Sequence, residues 1–247
     1  MLFALFLDIA LIYDQNGWGV HMYHRFLKRF FDFILSLMAL IVLSPVLLVL
    51  IVLGWIKMKG NPFFTQLRPG KNEKIFKLIK FRTMTCETDE NGDLLPDEQR
   101  LTRYGQILRS TSLDELPELL NILKGDMSIV GPRPQLVRDM VFMTDAQRVR
   151  HSVRPGLTGL AQVSGRNNIT WEEKFTYDLQ YINGGITLWN DIKIIFMTVG
   201  KVFRREDTVR EGTVSDMDFG DWLLQKGEVT QEDYKAKQAE AKELLGV

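Results

Sequence analysis

The chain has 247 residues, enough for one substantial domain with an appendage. Its 31 basic and 31 acidic side chains cancel to a formal net charge of zero, which removes the global electrostatic case for a nucleic-acid partner. A single cysteine, Cys86, excludes an internal disulfide framework and a multi-cysteine zinc site, and His21, His24 and His151 form no H-x-x-x-H pair, so any metal should be a hard ion on carboxylates and phosphates.

Residues 1–21 open with "MLFALFLDIALIY", apolar but carrying Asp8 and no basic start, a poor signal peptide. They are expected to be a leader upstream of a true start at Met22, or a dispensable interfacial segment. Residues 31–56, "FDFILSLMALIVLSPVLLVLIVLGWI", are almost wholly apolar. At about 1.5 Å per residue such a helix would cross a ~30 Å hydrocarbon core. Two features argue against a simple crossing. Ser44-Pro45 sits mid-segment, where proline deletes a backbone hydrogen bond. Both flanks are basic, with Arg25, Lys28 and Arg29 before and Lys57 and Lys59 after, which favours the same side of the membrane for both ends. Residues 22–59 are therefore expected to form a re-entrant helix-break-helix, with Ser44 free to bond a carbonyl that Pro45 orphans.

The next stretch, "NPFFTQLRPGKNEKIFKLIKFRTM", reads as two short strands around a turn at "RPGKNEK". Its cations, Arg68, Lys71, Lys74, Lys77, Lys80 and Arg82, serve either lipid headgroups or a phosphorylated substrate. Lys80 and Arg82 are the two expected to face a site. "CETDENGDLLPDEQR" is an acidic surface loop without regular calcium-ligand spacing.

"SLDELPELLN", residues 112–121, admits two readings. Ser112 and Glu115 have capping-box spacing, but a helix starting there puts Pro117 where its missing N–H costs ~3 kcal/mol. A start at Asp114 puts Pro117 harmlessly in the first turn. Asp114 and Glu115 then flank the positive end of a helix, where a phosphate or Mg²⁺-phosphate would dock. In "GDMSIVGPRPQL", Arg133 is pinned between Pro132 and Pro134; it is a rigid guanidinium suited to phosphate, or part of a stiff surface turn. "RPGLTGLAQVSGRN" carries Arg154 and Arg166 and lacks the P-loop pattern. Two helical stretches follow, the second amphipathic through Ile186, Leu188, Trp189, Ile192, Ile195, Phe196, Val199 and Phe203, as an interfacial or core-facing helix would be. Asp178, among aromatics, is a surface residue or a site acid. From about Gly227 an Ala/Glu/Lys-rich segment reads as a solvated helix on the edge of the fold.

Taken in order, the apolar segment broken by "SP", "FTQLRPG", "FKLIKFRTM", "LRSTSLDELPELLNILKGDMSIVGPRP", "RPGLTGLAQVSGRN" and "KFTYDLQYI" resemble the bacterial sugar transferases, the monotopic polyprenyl-phosphate phosphoglycosyl transferases. The resemblance covers roughly residues 22–220 and looks nearest the small PglC type. It implies an enzyme in which Asp114 attacks the β-phosphate of a UDP-sugar, here UDP-N,N'-diacetylbacillosamine, releasing UMP. Undecaprenyl phosphate then takes the phosphosugar from the aspartyl intermediate. UDP-galactose, UDP-glucose or a UDP-N-acetylhexosamine are alternative donors, and a silent membrane-anchored scaffold is the alternative outside enzymes. By the same resemblance Glu115 assists catalysis, Arg109 and Asp178 join Arg133, Lys80, Arg82 and Arg154 around the substrate, and Mg²⁺ is the cofactor, with Asp114 as a metal contact. The implied setting is the cytoplasmic face of the bacterial inner membrane, with membrane lipid and downstream glycosyltransferases as further partners. The expected architecture is α+β: a catalytic unit over 60–220 with short strands and interfacial helices, the re-entrant element before it and a polar tail over 221–247.

Overall fold

The computed structural model describes residues 22–165, 169–204 and 217–246. After one π-helical turn, Tyr23–Leu27, a 30-residue helix α1 (Lys28–Lys57) runs without interruption through Ser44-Pro45. The expected break is therefore absent from the helical run, for a local reason. Pro45 cannot donate to the carbonyl of Ile41, and the Ser44 hydroxyl donates to that oxygen instead, at 2.7 Å.

Strands β1 (Phe63–Pro69) and β2 (Ile75–Phe81) form the anticipated antiparallel hairpin, in register from Phe63 opposite Phe81 to Pro69 opposite Ile75. Helices α2 (Arg103–Ser110) and α3 (Glu118–Lys124) pack beside it. A second sheet pairs β3 (Ser128–Val130) in parallel with β4 (Gly156–Thr158). These strands lie in segments read as a proline turn and a glycine-punctuated loop. Glycine is needed there because a Cβ on Gly156 or Gly159 would collide with the backbone of Gly131.

One face of α1 is seated on this domain over most of its length. Near its start, Arg29 donates to the carbonyls of Ile122 and Leu123, and Asp32 accepts from the Ile129 N–H. Leu40 and Leu43 pack with Phe76, Leu78, Leu119 and Ile122. Beyond Pro45, Leu47, Leu50 and Ile51 pack with Phe81 and Leu108, and Tyr104 donates to the Leu50 carbonyl at 2.9 Å. The opposite face exposes Phe30, Met38, Ile41, Val42, Leu48, Val49, Trp55 and Ile56.

Helices α4 (Trp171–Ile182) and α5 (Leu188–Arg204) complete the β3 side. On α5 both readings of the amphipathic pattern hold at once. Ile194 is buried with Tyr181 and Val130, while Trp189, Phe196 and Val199 face outward, Phe196 at 72% exposure. Phe203's side chain and Arg166 lie outside what is described. Helix α7 (Gln231–Leu245), the edge helix expected from about Gly227, and helix α6 (Phe219–Lys226) before it both pack onto the domain. Phe219, Leu223 and Ala241 share a core with Val137, Met140, Val141, Trp171 and Phe175, and Asp139 accepts from the Phe219 N–H at 2.8 Å. The polar text concealed this because only a narrow stripe of α7, Tyr234, Ala241 and Leu245, turns inward.

Candidate active site

The Asp114-Glu115 pair lies in a short 3₁₀ turn, Leu113–Glu115, before α3 rather than on it. Ser112 holds a left-handed φ of 55° and its side chain caps nothing, so the capping box is not formed. Pro117 occupies the N-cap of α3, a position where a missing N–H leaves no helical bond unmade. The helix thus starts a few residues later than expected, and both carboxylates sit on its approach.

Asn121 fixes this turn against the hairpin. Fully buried, it donates to the Lys77 carbonyl at 2.8 Å and accepts from the Ile79 N–H at 3.1 Å, gripping β2 on both sides of Leu78. The grip carries Lys80 to the acids. Its ammonium lies 2.8 Å from Glu115 and 3.1 Å from Glu118. Arg133 reaches the same Glu115 oxygen at 2.7 Å. Two cations on one carboxylate hold the Glu115 pKa far below the usual range despite burial.

Asp114 differs. Among the described residues its carboxylate has no hydrogen bond or ion pair. Burial first, and then the charge of Glu115, push its pKa up to about 6, against the pull of Lys80, Arg133 and Arg109. Glu118, 3% exposed, is likewise pushed up to about 7 by burial and by Glu115. Glu118 was not singled out in the sequence, because within "LPELLN" it reads as the polar position of an apolar helix. Its contact with Lys80 depends on a hairpin 38 residues earlier.

The remaining candidates divide. Arg109 donates through Nε to Thr83 at 3.1 Å and feels the charge of Asp114, so it belongs to the cluster. Asp178 stands behind it. With side chains 1% and 3% exposed, Arg150 and Asp178 form a pair at 2.7 Å, and Arg150 also donates to the Arg133 carbonyl at 2.7 Å. Arg68 donates to the Pro134 carbonyl at 3.0 Å. The P-R-P turn is therefore clamped on both sides, and Asp178 acts on it only through Arg150, a residue that no motif marks. Arg82 extends the hairpin through its N–H to the Pro62 carbonyl, and its side chain has no partner among the described residues. Arg154 lies apart, donating to the Gly125 carbonyl at 2.8 Å.

Among the described residues no three acidic, histidine or cysteine side chains form a ready-made metal cage. A hard ion that keeps its waters and takes most other ligands from phosphate needs only one or two carboxylates, and the unpartnered Asp114 fits that requirement.

Residues 23–205 match the family model described as bacterial sugar transferase. The chain is 48% identical over 180 residues to an uncharacterized sugar transferase, EpsL, of Bacillus subtilis, covering 73% of this chain and 89% of that one. It is 37% identical over 219 residues to the undecaprenyl-phosphate galactose phosphotransferase of Salmonella typhimurium, covering 81% of this chain and 45% of the relative. Against the UDP-glucose:undecaprenyl-phosphate glucose-1-phosphate transferase of Klebsiella pneumoniae the identity is 41% over 207 residues, 79% of this chain and 43% of the relative. The chain thus spans most of the Bacillus protein and under half of the other two. With a match over most of its length, this chain belongs to the bacterial sugar transferase family and is an enzyme of that class.

Proposed function

We propose that the chain transfers a sugar 1-phosphate from a UDP-sugar to undecaprenyl phosphate, giving undecaprenyl-diphosphate-sugar and UMP. The observation that carries this reading is the contrast between Asp114, an unpartnered carboxylate, and Glu115, held by two cations beside it. An Asp114 oxygen attacks the β-phosphorus of the donor. The bond to the bridging oxygen breaks, UMP leaves with that electron pair, and an acyl phosphate forms on Asp114. A phosphate oxygen of undecaprenyl phosphate then attacks the same phosphorus and releases the Asp114 carboxylate.

Lys80, Arg133 and Arg109 supply positive charge around the transferred phosphoryl group. Glu115 keeps Lys80 and Arg133 converged, and the Arg150–Asp178 pair keeps Arg133's backbone in place. Mg²⁺, held by Asp114 and donor phosphates, would neutralise diphosphate charge when bound.

Helix α1 supports the membrane setting. Its inner face packs on the same domain both before and after Pro45, and its outer face is a continuous apolar surface. A helix so placed dips into one leaflet on the cytoplasmic side of the bacterial inner membrane, consistent with its basic flanks. There a soluble nucleotide sugar and a polyprenol phosphate can meet. On motif resemblance the donor is UDP-N,N'-diacetylbacillosamine. The names of the Salmonella and Klebsiella relatives favour UDP-galactose or UDP-glucose as the second reading.

The test is UMP release by detergent-solubilised full chain with undecaprenyl phosphate, Mg²⁺ and a panel of these donors. Release with one donor establishes reaction and sugar together. Silence across the panel from folded protein points to a donor outside it first and to the scaffold reading second.

A further inference from the structure

Away from the Asp114 cluster, an open cavity of about 330 Å³ lies where the start of α1 meets β3 and the β4 approach. His24, Lys28, Arg29, Lys71 and Arg154 line it, and none of the lining residues belongs to the Lys80–Glu115–Arg133 cluster. Carboxylates temper part of this charge. Lys28 pairs with Asp191 at 2.5 Å, Asp32 lies on the wall accepting from the Ile129 N–H, and Asp126 is near Arg29.

Some of the remaining cations have a structural task. Arg29 spends both terminal nitrogens on the Ile122 and Leu123 carbonyls at the end of α3, and Arg154 gives its Nε to Gly125. A Cβ on Gly125 would lie 3.2 Å from Arg29, so two guanidinium groups converge on one glycine. Capping accounts for Arg29. It leaves the terminal nitrogens of Arg154 and the ammonium of Lys71 without a partner among the described residues. Lys71 is also held in place at some cost. The next two residues, Asn72 and Glu73, both have left-handed φ, 54° and 61°, and Glu73 is anchored by Arg148 at 3.1 Å and His151 at 3.3 Å.

We infer that this cavity binds the phosphate of an anionic bilayer phospholipid, with Arg154 and Lys71 as its direct contacts. A lipid fits better than a soluble phosphate because the same helix start that walls the cavity exposes Phe26, Phe30 and Phe33. A phosphate seated beside Lys28 and Arg29 lays its acyl chains along an apolar surface, at the depth where basic residues meet headgroups. The inference rests on α1 lying in the bilayer, and it adds a lipid site separate from the reacting centre.

Native mass spectrometry of the detergent-solubilised full chain, titrated with phosphatidylglycerol or phosphatidylcholine, tests it. The expected result is one phosphatidylglycerol retained about tenfold more strongly than phosphatidylcholine, with most of that preference lost in Arg154→Gln and in Lys71→Gln. Lys71 is on an exposed turn, so its variant keeps the test readable if Arg154→Gln misfolds. Equal retention of the two lipids by the unmodified chain, or undiminished preference in folded Lys71→Gln, overturns the site. Displacement of phosphatidylglycerol by inorganic phosphate or by undecaprenyl phosphate at equal concentration overturns the phospholipid assignment. UMP release from the same preparation reports separately on the proposed reaction.

Discussion

Two acid–arginine arrangements lie back to back in this molecule, and they are built for different ends. In the Arg150–Asp178 pair, the charges meet one to one in a nearly solvent-free setting. In the cluster in front of it, Lys80 and Arg133 converge on Glu115, Glu118 shares Lys80, and Asp114 is left unpaired. A closed pair spends its interaction holding geometry. A cluster with one carboxylate left over retains something to react. The Arg133 backbone joins the two, since Arg150 donates to its carbonyl.

The largest expected effect breaks the front cluster. Asp114→Asn keeps the shape but removes the proposed nucleophile, and UMP release should fall by more than about 10³-fold while membrane association is unchanged. Substantial retained turnover would remove Asp114 from that role.

Next comes the rear pair. Asp178→Asn strands the Arg150 charge and should cost about 3–5 kcal/mol of stability by denaturant unfolding. Activity should fall through displacement of Arg133. An Arg150→Met/Asp178→Leu double variant should regain stability without regaining full activity; full recovery of both would deny the pair a positioning role.

A smaller and more specific effect concerns pH. As the proposed nucleophile Asp114 must be ionised, and its pKa is raised to about 6, so kcat/KM should decline as pH falls through about 6. Lys80 pulls that pKa down, so Lys80→Met should move the acid limb to higher pH, besides lowering the rate. An unmoved limb in that variant would show that another group titrates.

The smallest effect is at Pro45. With the Ile41 carbonyl already satisfied by Ser44, Pro45→Ala restores an ordinary helical bond and should alter stability by no more than about 1 kcal/mol. Cysteine-accessibility labelling then asks whether both flanks remain on one side of the membrane. Opposite-side labelling in the variant alone would show that Pro45 keeps both flanks on one side.

Legibility in the sequence followed the range of the interactions. The β1–β2 hairpin was readable because alternation and a turn signal lie within about twenty contiguous residues, and α1 because composition alone identifies it. The β3–β4 pair was not, since three-residue parallel strands 28 positions apart leave no periodic trace among prolines and glycines. The same holds inside the site. Asp114 and Glu115 stood out beside a proline, whereas Glu118 and Arg150 matter through partners at Lys80 and Asp178 that only the fold brings near. The contact of Arg154 with the Gly125 carbonyl at the end of α3 is of the same long-range kind and left no signal in its glycine-rich surroundings.

The central claim is that Asp114 carries the phosphosugar between two half-reactions. Rapid-quench measurement of UMP with the reactive donor and no undecaprenyl phosphate tests it directly, paired with intact-protein mass. The account predicts a burst approaching one UMP per chain and a matching sugar-phosphate adduct that Asp114→Asn lacks. UMP appearing only after the polyprenol phosphate is added, with no adduct at any time, would contradict it and point to direct transfer between donor and acceptor.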